Sequence, residues 1–490
     1  MLSPLQCLGL FLFCAGNETH KEPMEDQRRR DIRSSFYDGM FAHVFAILTG
    51  GVFLTGFALH LGMNDFMIGL LASLPFLVTV FQLPASIHIS RRGARKTTAF
   101  HAALAARAAW IFVLVAAVVP FGSPSMKLFF ILGIIFLSYA AASVSYVAWL
   151  SWMSDLIPEE IRGRFFGTRN MLCGASGTVA MLIFGKLLDR LNGESFGSLP
   201  LGFGLTFLVA AGFGILGLRF LNGISEPVQT TTCEGGVSLR MLSRHLVEDR
   251  NFRKFLVYSL TWNFSVYFAG PFFTVYFLRD LGYSYSFVAA LGVISGFSDI
   301  LGMQAWGRIS DKVKNKAVIQ FASWVAIFLP LAWVTVRPQC IVFPVILHVL
   351  GGGFWAGINL CTNNLLLRIT PRQNRPIFLS LFHMVTGLGA AGGPVLGGLV
   401  LTGIAQMELH LLSWNLLSIQ VLFFISTLFR LLSFQILKTV HEPEEATVGK
   451  VIRIFRSLRG LNLASGFNMV LHPFVEVEKS GKEGRGSTRD

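Results

Sequence analysis

The sequence predicts an all-α membrane protein of twelve transmembrane helices arranged as two six-helix bundles. Three observations predict it. Only 14% of the 490 residues are charged and 53% are hydrophobic, whereas a soluble domain carries roughly 25% charged residues. Twelve long apolar runs follow one another along the chain. Short polar loops recur at nearly one spacing, so the bundle is written twice.

The recurring loops set the frame. Ser90-Arg91-Arg92-Gly93-Ala94-Arg95-Lys96 is answered 220 residues later by Ser310-Asp311-Lys312-Val313-Lys314-Asn315-Lys316. Pro158-Glu159-Glu160-Ile161-Arg162 is answered 213 residues on by Pro371-Arg372-Gln373-Asn374-Arg375.

Residues 1–33 read as a cytoplasmic leader. Leu8 to Ala15 is apolar but too short to cross roughly 30 Å of hydrocarbon. It lacks a cationic flank, so no cleaved signal peptide is expected, and Met24 opens a more ordinary leader. The first bundle, 34–222, holds runs at about 36–61, 66–90, 97–120, 127–152, 165–188 and 201–221. A polar linker, 223–250, separates it from the second bundle, 251–440. There the runs fall at about 252–278, 285–308, 317–336, 340–365, 376–402 and 413–437. About 20 apolar residues span a bilayer as a helix, and a lone strand in lipid would leave its backbone groups unpaired.

Charge gives the orientation. Lys and Arg concentrate in the loops at one end: 28–33, 91–96, 162–164, 240–254, 312–316, 368–375 and Lys438. By the positive-inside rule that end, with both termini, is cytoplasmic. The net charge of +14 sits in these short loops. Anionic lipid is therefore the expected partner, and nucleic acid is not. In the tail, 441–490, the stretch Lys450 to Arg459 places Val451, Ile454, Phe455 and Leu458 on one helical face. It reads either as a short helix on the inner leaflet or as chance periodicity. The six cysteines are scattered, with neither disulfide nor metal spacing.

Six plus six spans, a polar linker and cationic loops after spans 2 and 8 resemble the major facilitator superfamily over about 34–440. The family's loop pattern is Gly-x-x-x-Asp-(Arg/Lys)-x-Gly-(Arg/Lys)-(Arg/Lys). The second half keeps Gly307, Asp311, Lys312 and Lys316 but has Lys314 at the later Gly; the first half has Ile87 and Arg91 at the Gly and Asp positions. The stretch Trp149 to Asn170 is similar to bacterial members with no assigned substrate, which places the protein in a bacterial inner membrane. Gly389, Gly393, Pro394, Gly397 and Gly398 follow a pattern that drug–proton antiporters carry on span 5, but here it lies on span 11. The Arg those antiporters carry in span 4 is missing, so the resemblance argues against an exporter of that type.

Charge in a membrane span is costly unless paired or hydrated. Asp299 lies 12 residues before Asp311, roughly 18 Å of helix from the loop end. It reads as a proton or cation site, or as an Asp held by Ser295, Ser298 and backbone donors. Arg107 in span 3 reads as an anion-binding group or as a structural pair. His43 in span 1 reads as a proton shuttle or a hydrogen-bonded core histidine. Asp38, near the loop end and Arg33, reads as solvated or loop-paired. The family lines its cavity with spans 1, 4, 7 and 10. On those spans the candidates are Tyr146 and Trp149; Trp262, Asn263 and Tyr267; and Trp355, Asn359, Thr362 and Asn363. Aromatic walls with a few amides suit a neutral, hydrogen-bonding or amphipathic solute. Arg91, Arg92, Asp311, Lys312, Arg162 and Arg375 are the candidates for a cytoplasmic gate.

The expected function is secondary active transport of a small solute by alternating access, with protons or another ion as coupling partner, by a monomer without cofactor or metal. The rival is a non-transporting membrane sensor or assembly partner on the same fold. No Gly-x-x-x-x-Gly-Lys-(Ser/Thr) loop indicates ATP drive, and no Ser/His/Asp or metal constellation indicates an enzyme.

Overall fold

The computed structural model describes residues 23–227 and 249–443, apart from short gaps at 120–121, 192–194, 197–198, 339, 371–374, 405–408 and 412–413, together with Val451. The stretch Lys450 to Arg459, apart from Val451, lies outside the described residues.

The first apolar run forms α1 (Pro23–Leu48) and α2 (Gly51–His60), with Gly51 at φ +49° where they join. Helix α1 begins well before the apolar run and carries part of the expected leader as helix. The second run forms α3 (Asp65–Leu77), a short 3₁₀ turn and α4 (Gln82–Arg92). Asn64 starts α3 by accepting from Met67 N at 2.9 Å, and Gly93 ends α4 in the left-handed region. Then come α5 (Arg95–Val118), α6 (Pro124–Leu156), α7 (Glu159–Arg190) and α8 (Leu201–Asn222). Ser123 and Pro124 open α6 as cap and first residue. Pro158 and two glutamates open α7, where acidic side chains suit the positive helix end.

The second half repeats the order with α9 (Arg250–Val275), α10 (Tyr285–Val313), α11 (Asn315–Val334), α12 (Val342–Ile369), α13 (Arg375–Ile404) and α14 (Ser418–Lys438). Asp249 caps α9 by accepting from Asn251 N and Phe252 N, both at 2.9 Å. Two small hairpins complete the described elements: β1 (Ser195–Phe196) with β2 (Leu199–Pro200) before α8, and β3 (Leu409–Leu411) with β4 (Trp414–Leu416) before α14. Among the described residues, eleven helical spans are long and apolar enough to cross a membrane. Helix α9, at 26 residues, has the length but is more polar, with Trp262, Asn263 and Tyr267 along it.

Two compact units result. The first contains α1–α8 together with Ser284–Ala289, and the second contains the rest of α9–α14. Packing within them follows one plan. In the first, α5 runs along α6, α1 along α7 and α8, and α8 along α5; in the second, α11 runs along α12, α9 along α13 and α14, and α14 along α11. Each has its own apolar core. Trp152, Met153, Phe165, Ala99 and Leu221 belong to the first core. Phe252, Phe255, Tyr258, Trp306 and Leu365 belong to the second.

Glycine decides one close packing. A Cβ at Gly389 would lie 2.5 Å from Leu260 O, and one at Gly393 would lie 2.6 Å from Phe264 O. Gly397 meets Phe268 O more closely still. Steps of four residues put these glycines on one stripe, and the backbone of α9 rests against it.

The structure brings out a third repeat. After α8, Glu226 accepts from Arg95 N at 2.9 Å and Lys96 N at 3.0 Å, capping α5. After α14, Glu442 accepts from Lys316 N at 2.7 Å and Asn315 Nδ2 at 3.0 Å, capping α11. Each glutamate precedes a proline, Pro227 or Pro443. The residue before each glutamate is also held. Asp31 accepts from Ser225 N at 3.0 Å and from its hydroxyl, while Asn251 exchanges two bonds with His441 at 2.7 and 2.8 Å. Arg95, 1% exposed, ion-pairs with Asp155 and donates to Pro227 O at 3.2 Å. In the second unit Asn315 stands at the position of Arg95, and the cation comes from α12: Arg368 pairs with Glu442 at 3.2 Å.

Lys314 explains one departure from the loop pattern. Its φ of 70° and ψ of 170° lie where glycine alone is at ease. The second half keeps the backbone shape of the missing glycine and bears the strain.

Candidate functional site

In the first unit the charged candidates converge. Arg107 on α5 and Asp38 on α1 are both buried, at 6% and 3% exposure. Their side chains form an ion pair at 3.5 Å, and Arg107 donates to Gly214 O on α8 at 2.5 Å. Gly214 and Gly217 admit the guanidinium, since a Cβ at either would lie 3.1 to 3.4 Å from Arg107 atoms. The expectation of a solvated or loop-paired Asp38 is overturned. Helix α1 carries Arg33 away, so that it donates to Tyr37 Oη at 3.3 Å, while Asp38 turns inward to α5.

A residue that the sequence reading did not single out joins them. Arg169 on α7 stacks over the Trp149 ring at 4.1 Å and donates to Ser35 O at 3.4 Å. Its guanidinium lies against Gly39, where a Cβ would meet it at 2.8 Å, and its charge bears on Asp38 and His43. His43 in turn rests against Gly177, 2.6 Å from where a Cβ would stand. Tyr146, 54% exposed, stacks on Trp149 at 6.4 Å. Asp38, Arg107, Arg169, His43, Trp149 and Tyr146 thus form one linked group of two cations, one anion, one imidazole and two aromatic rings.

In the second unit the candidates make an aromatic and amide wall. Trp262 lies between Tyr258 and Trp355, with ring centroids 6.1 and 5.9 Å away. Its Nε1 has no hydrogen-bond partner among the described residues. Asn263 donates to Ser259 O of its own helix at 2.8 Å. Tyr267 and Thr362 are half-buried, whereas Asn359 and Asn363 are exposed. Asp299 is half-buried on α10, and among the described residues no hydrogen bond or ion pair reaches its carboxylate. Ser298, one of its expected holders, donates instead to Val349 O at 2.7 Å.

Arg162 clips its own loop, donating to Ser154 O at 2.8 Å and pairing with Glu159 at 3.6 Å. Asp311 and Lys312 are exposed. The side chains of Arg91, Arg92 and Arg375 lie outside the described residues. No group of three or more potential metal ligands occurs among the described residues.

A bundle of membrane-length helices in two repeated halves, with charge paired inside one half and an acid left unpaired among the described residues of the other, is the build of a membrane transporter. The sequence matches the Major Facilitator Superfamily over residues 39–366, and the chain belongs to that family. Solved structures of similar fold include a mutant form of the nucleoside transporter NupG, with TM-score 0.64, 12% identity, 85% of this chain and 100% of that one covered. A bacterial homolog of the human lysosomal transporter Spinster, inward-facing and unoccupied, has TM-score 0.60 at 15% identity over 86% and 100% of the two chains. A D-xylose-proton symporter has TM-score 0.58 at 14% identity over 85% and 99%. Among curated proteins, no match is found. The protein is an integral multi-pass membrane protein of a transporter family, and the same family points away from an enzyme.

Proposed function

We propose that the protein moves a small neutral, hydrogen-bonding solute by alternating access and couples that movement to protons through Asp299. The observation that carries the reading is the contrast between its two acids. Asp38 has a cation 3.5 Å away. Asp299, in a helix of membrane-spanning length, has none among the described residues. A carboxylate without a counter-charge at membrane depth is the group that takes up and releases a proton as its surroundings dry and wet. The paired Asp38 and Arg107 hold α1, α5 and α8 in register instead.

The solute class follows from the side chains offered. Within the second unit, the half-buried Trp355 and Tyr267 supply flat apolar surface, and the exposed Asn359 and Asn363 supply paired donors and acceptors. On the same fold, NupG is a nucleoside transporter and the xylose protein is a proton symporter. Those precedents support a neutral polar solute and proton drive without fixing either. In this reading the cation-rich end faces the cytoplasm of a bacterial cell, anionic lipid contacts its loops, and Arg91, Arg92, Asp311, Lys312, Arg162 and Arg375 contribute to closing that end.

The test is transport by the purified protein in proteoliposomes, with a panel of nucleosides and sugars and an imposed pH gradient. Accumulation of one solute driven by the gradient is expected. Asp299→Asn is expected to abolish accumulation while counterflow exchange persists. Accumulation unchanged in Asp299→Asn would refute proton coupling at that residue, and no movement of any solute would favour the non-transporting rival.

A further inference from the structure

The second unit buries a cation that none of the proposed transport chemistry uses. Arg430 on α14 is 3% exposed. It donates from Nη1 to Ala326 O on α11 at 2.6 Å, and its Nε has no partner among the described residues. No ion pair reaches it there either. An isolated guanidinium in a core is costly unless a counter-charge accompanies it.

The first unit shows what the missing counter-charge would be. The 220-residue spacing of the cationic loops maps Asp38 onto Tyr258 and Arg107 onto Ile327. The spacing of Glu226 and Glu442, 216 residues, maps Gly214 onto Arg430 and Gly217 onto Ser433. In the first unit a guanidinium on α5 reaches a carbonyl on α8, and Asp38 compensates it. In the second unit the guanidinium comes from α14, the counterpart of α8, and reaches a carbonyl on α11, the counterpart of α5. The cation keeps its place in the core and changes helix. The carboxylate is replaced by a phenol.

The helices that meet at Arg430 carry buried donors: Tyr258 on α9, Ser323 on α11 and Ser433 on α14 itself. Tyr258 is 1% exposed, and Ser323 and Ser433 are fully buried. The Ser433 hydroxyl has no hydrogen-bond partner among the described residues, and the Tyr258 and Ser323 hydroxyls have none there beyond each other. Ser323 is one turn before Ala326, and Ser433 is one turn after Arg430. Tyr258, Ser323 and Arg430 each sit eight residues in from the cation-rich end of their helices, so they share one depth. A positive charge, three hydroxyl protons and no carboxylate define a site for a small anion.

We propose that the second unit binds a monovalent anion of the chloride class between α9, α11 and α14, with Arg430 as counter-charge and Tyr258, Ser323 and Ser433 as hydrogen-bond donors. The anion takes the place that the Asp38 carboxylate fills in the first unit. This site is structural and stands apart from the proposed transport reading.

The test uses the full-length protein in detergent, with thermal unfolding followed in sodium chloride, sodium bromide and sodium gluconate at equal ionic strength. Chloride and bromide are expected to raise the midpoint saturably by a few degrees over gluconate. Tyr258→Asp supplies the carboxylate from within the chain and is expected to fold and to lose the chloride dependence. Arg430→Met is expected to lose it too, and if that variant fails to fold the Tyr258→Asp arm still decides. Bromide-soaked crystals should show an anomalous peak within reach of the Arg430 guanidinium. No halide dependence, a dependence that survives Tyr258→Asp, or ordered water only at Arg430 would each overturn the proposal.

Discussion

Removing Arg107 should cost more than removing both members of its pair. Arg107→Met leaves the Asp38 carboxylate, with side-chain exposure of 5%, without its ion-pair partner and with only the charge of Arg169 still bearing on it. Breaking a buried ion pair from one side costs about 3–5 kcal/mol, because the remaining charge keeps its desolvation penalty without its partner. For a unit of roughly 200 residues that corresponds to roughly 6–20 °C in unfolding midpoint. Asp38→Asn strands Arg107 in the same way, less severely, since the bond to Gly214 O at 2.5 Å remains. In the double variant no stranded charge is left, and the cost falls to that of a buried amide in place of an unpaired ion. The double variant should therefore be more stable than Arg107→Met alone, with a coupling of about 2 kcal/mol or more. Thermal unfolding of the four proteins in detergent, followed by the loss of the monodisperse peak, completes the cycle. Additive single effects, or a double variant worse than both singles, would refute the claim that the two charges are mutually compensated.

Two further substitutions test the loop end. Lys314→Gly should stabilise the protein by about 1 kcal/mol, the lower end of what an ill-suited backbone position costs, and this is read as a rise in unfolding midpoint. Glu226→Gln should weaken the cap on α5 and lower the midpoint by the equivalent of about 1–2 kcal/mol, since a charge-assisted bond to two backbone donors becomes a neutral one. Glu442→Gln should cost more than Glu226→Gln, because it also strips Arg368 of its partner at 3.2 Å.

The architecture was legible because hydropathy and repetition are properties of the chain itself. Twelve runs and two echoed loops are enough to predict helices of membrane length and a duplicated plan, since in lipid the backbone has few other ways to satisfy itself. The buried charges were legible only where they stood alone in an apolar run, as with Arg107 and Asp299. Asp38 was misplaced because its near neighbour in sequence, Arg33, was not its neighbour in space. Arg169 was passed over because it follows Arg162 and Arg164 by less than two turns, and its role shows only when α7 is laid against Gly39 and Trp149. Arg430 was passed over although it stands inside an apolar run, eight residues before Lys438. Glu226 and Glu442 carried a detectable signal, a Glu-Pro pair after each sixth span at the repeat spacing. A search keyed on cations passes over it.

The fastening of the first half has a bearing on how the chain is made. Asp31, Arg95, Lys96, Trp152, Asp155 and Ser225 are tied to one another through the short segment ending at Pro227. Glu226 closes a loop of 131 residues back to Arg95, and every partner in that knot is synthesised before Arg250. A ribosome feeding a membrane insertion channel delivers the clasp last, so these six helices can lock at their loop end while the remainder is still being translated. Truncation after residue 250 should then yield a fragment that resists proteolysis at its Arg95 loop, and loss of Glu226 should expose that loop in the nascent fragment.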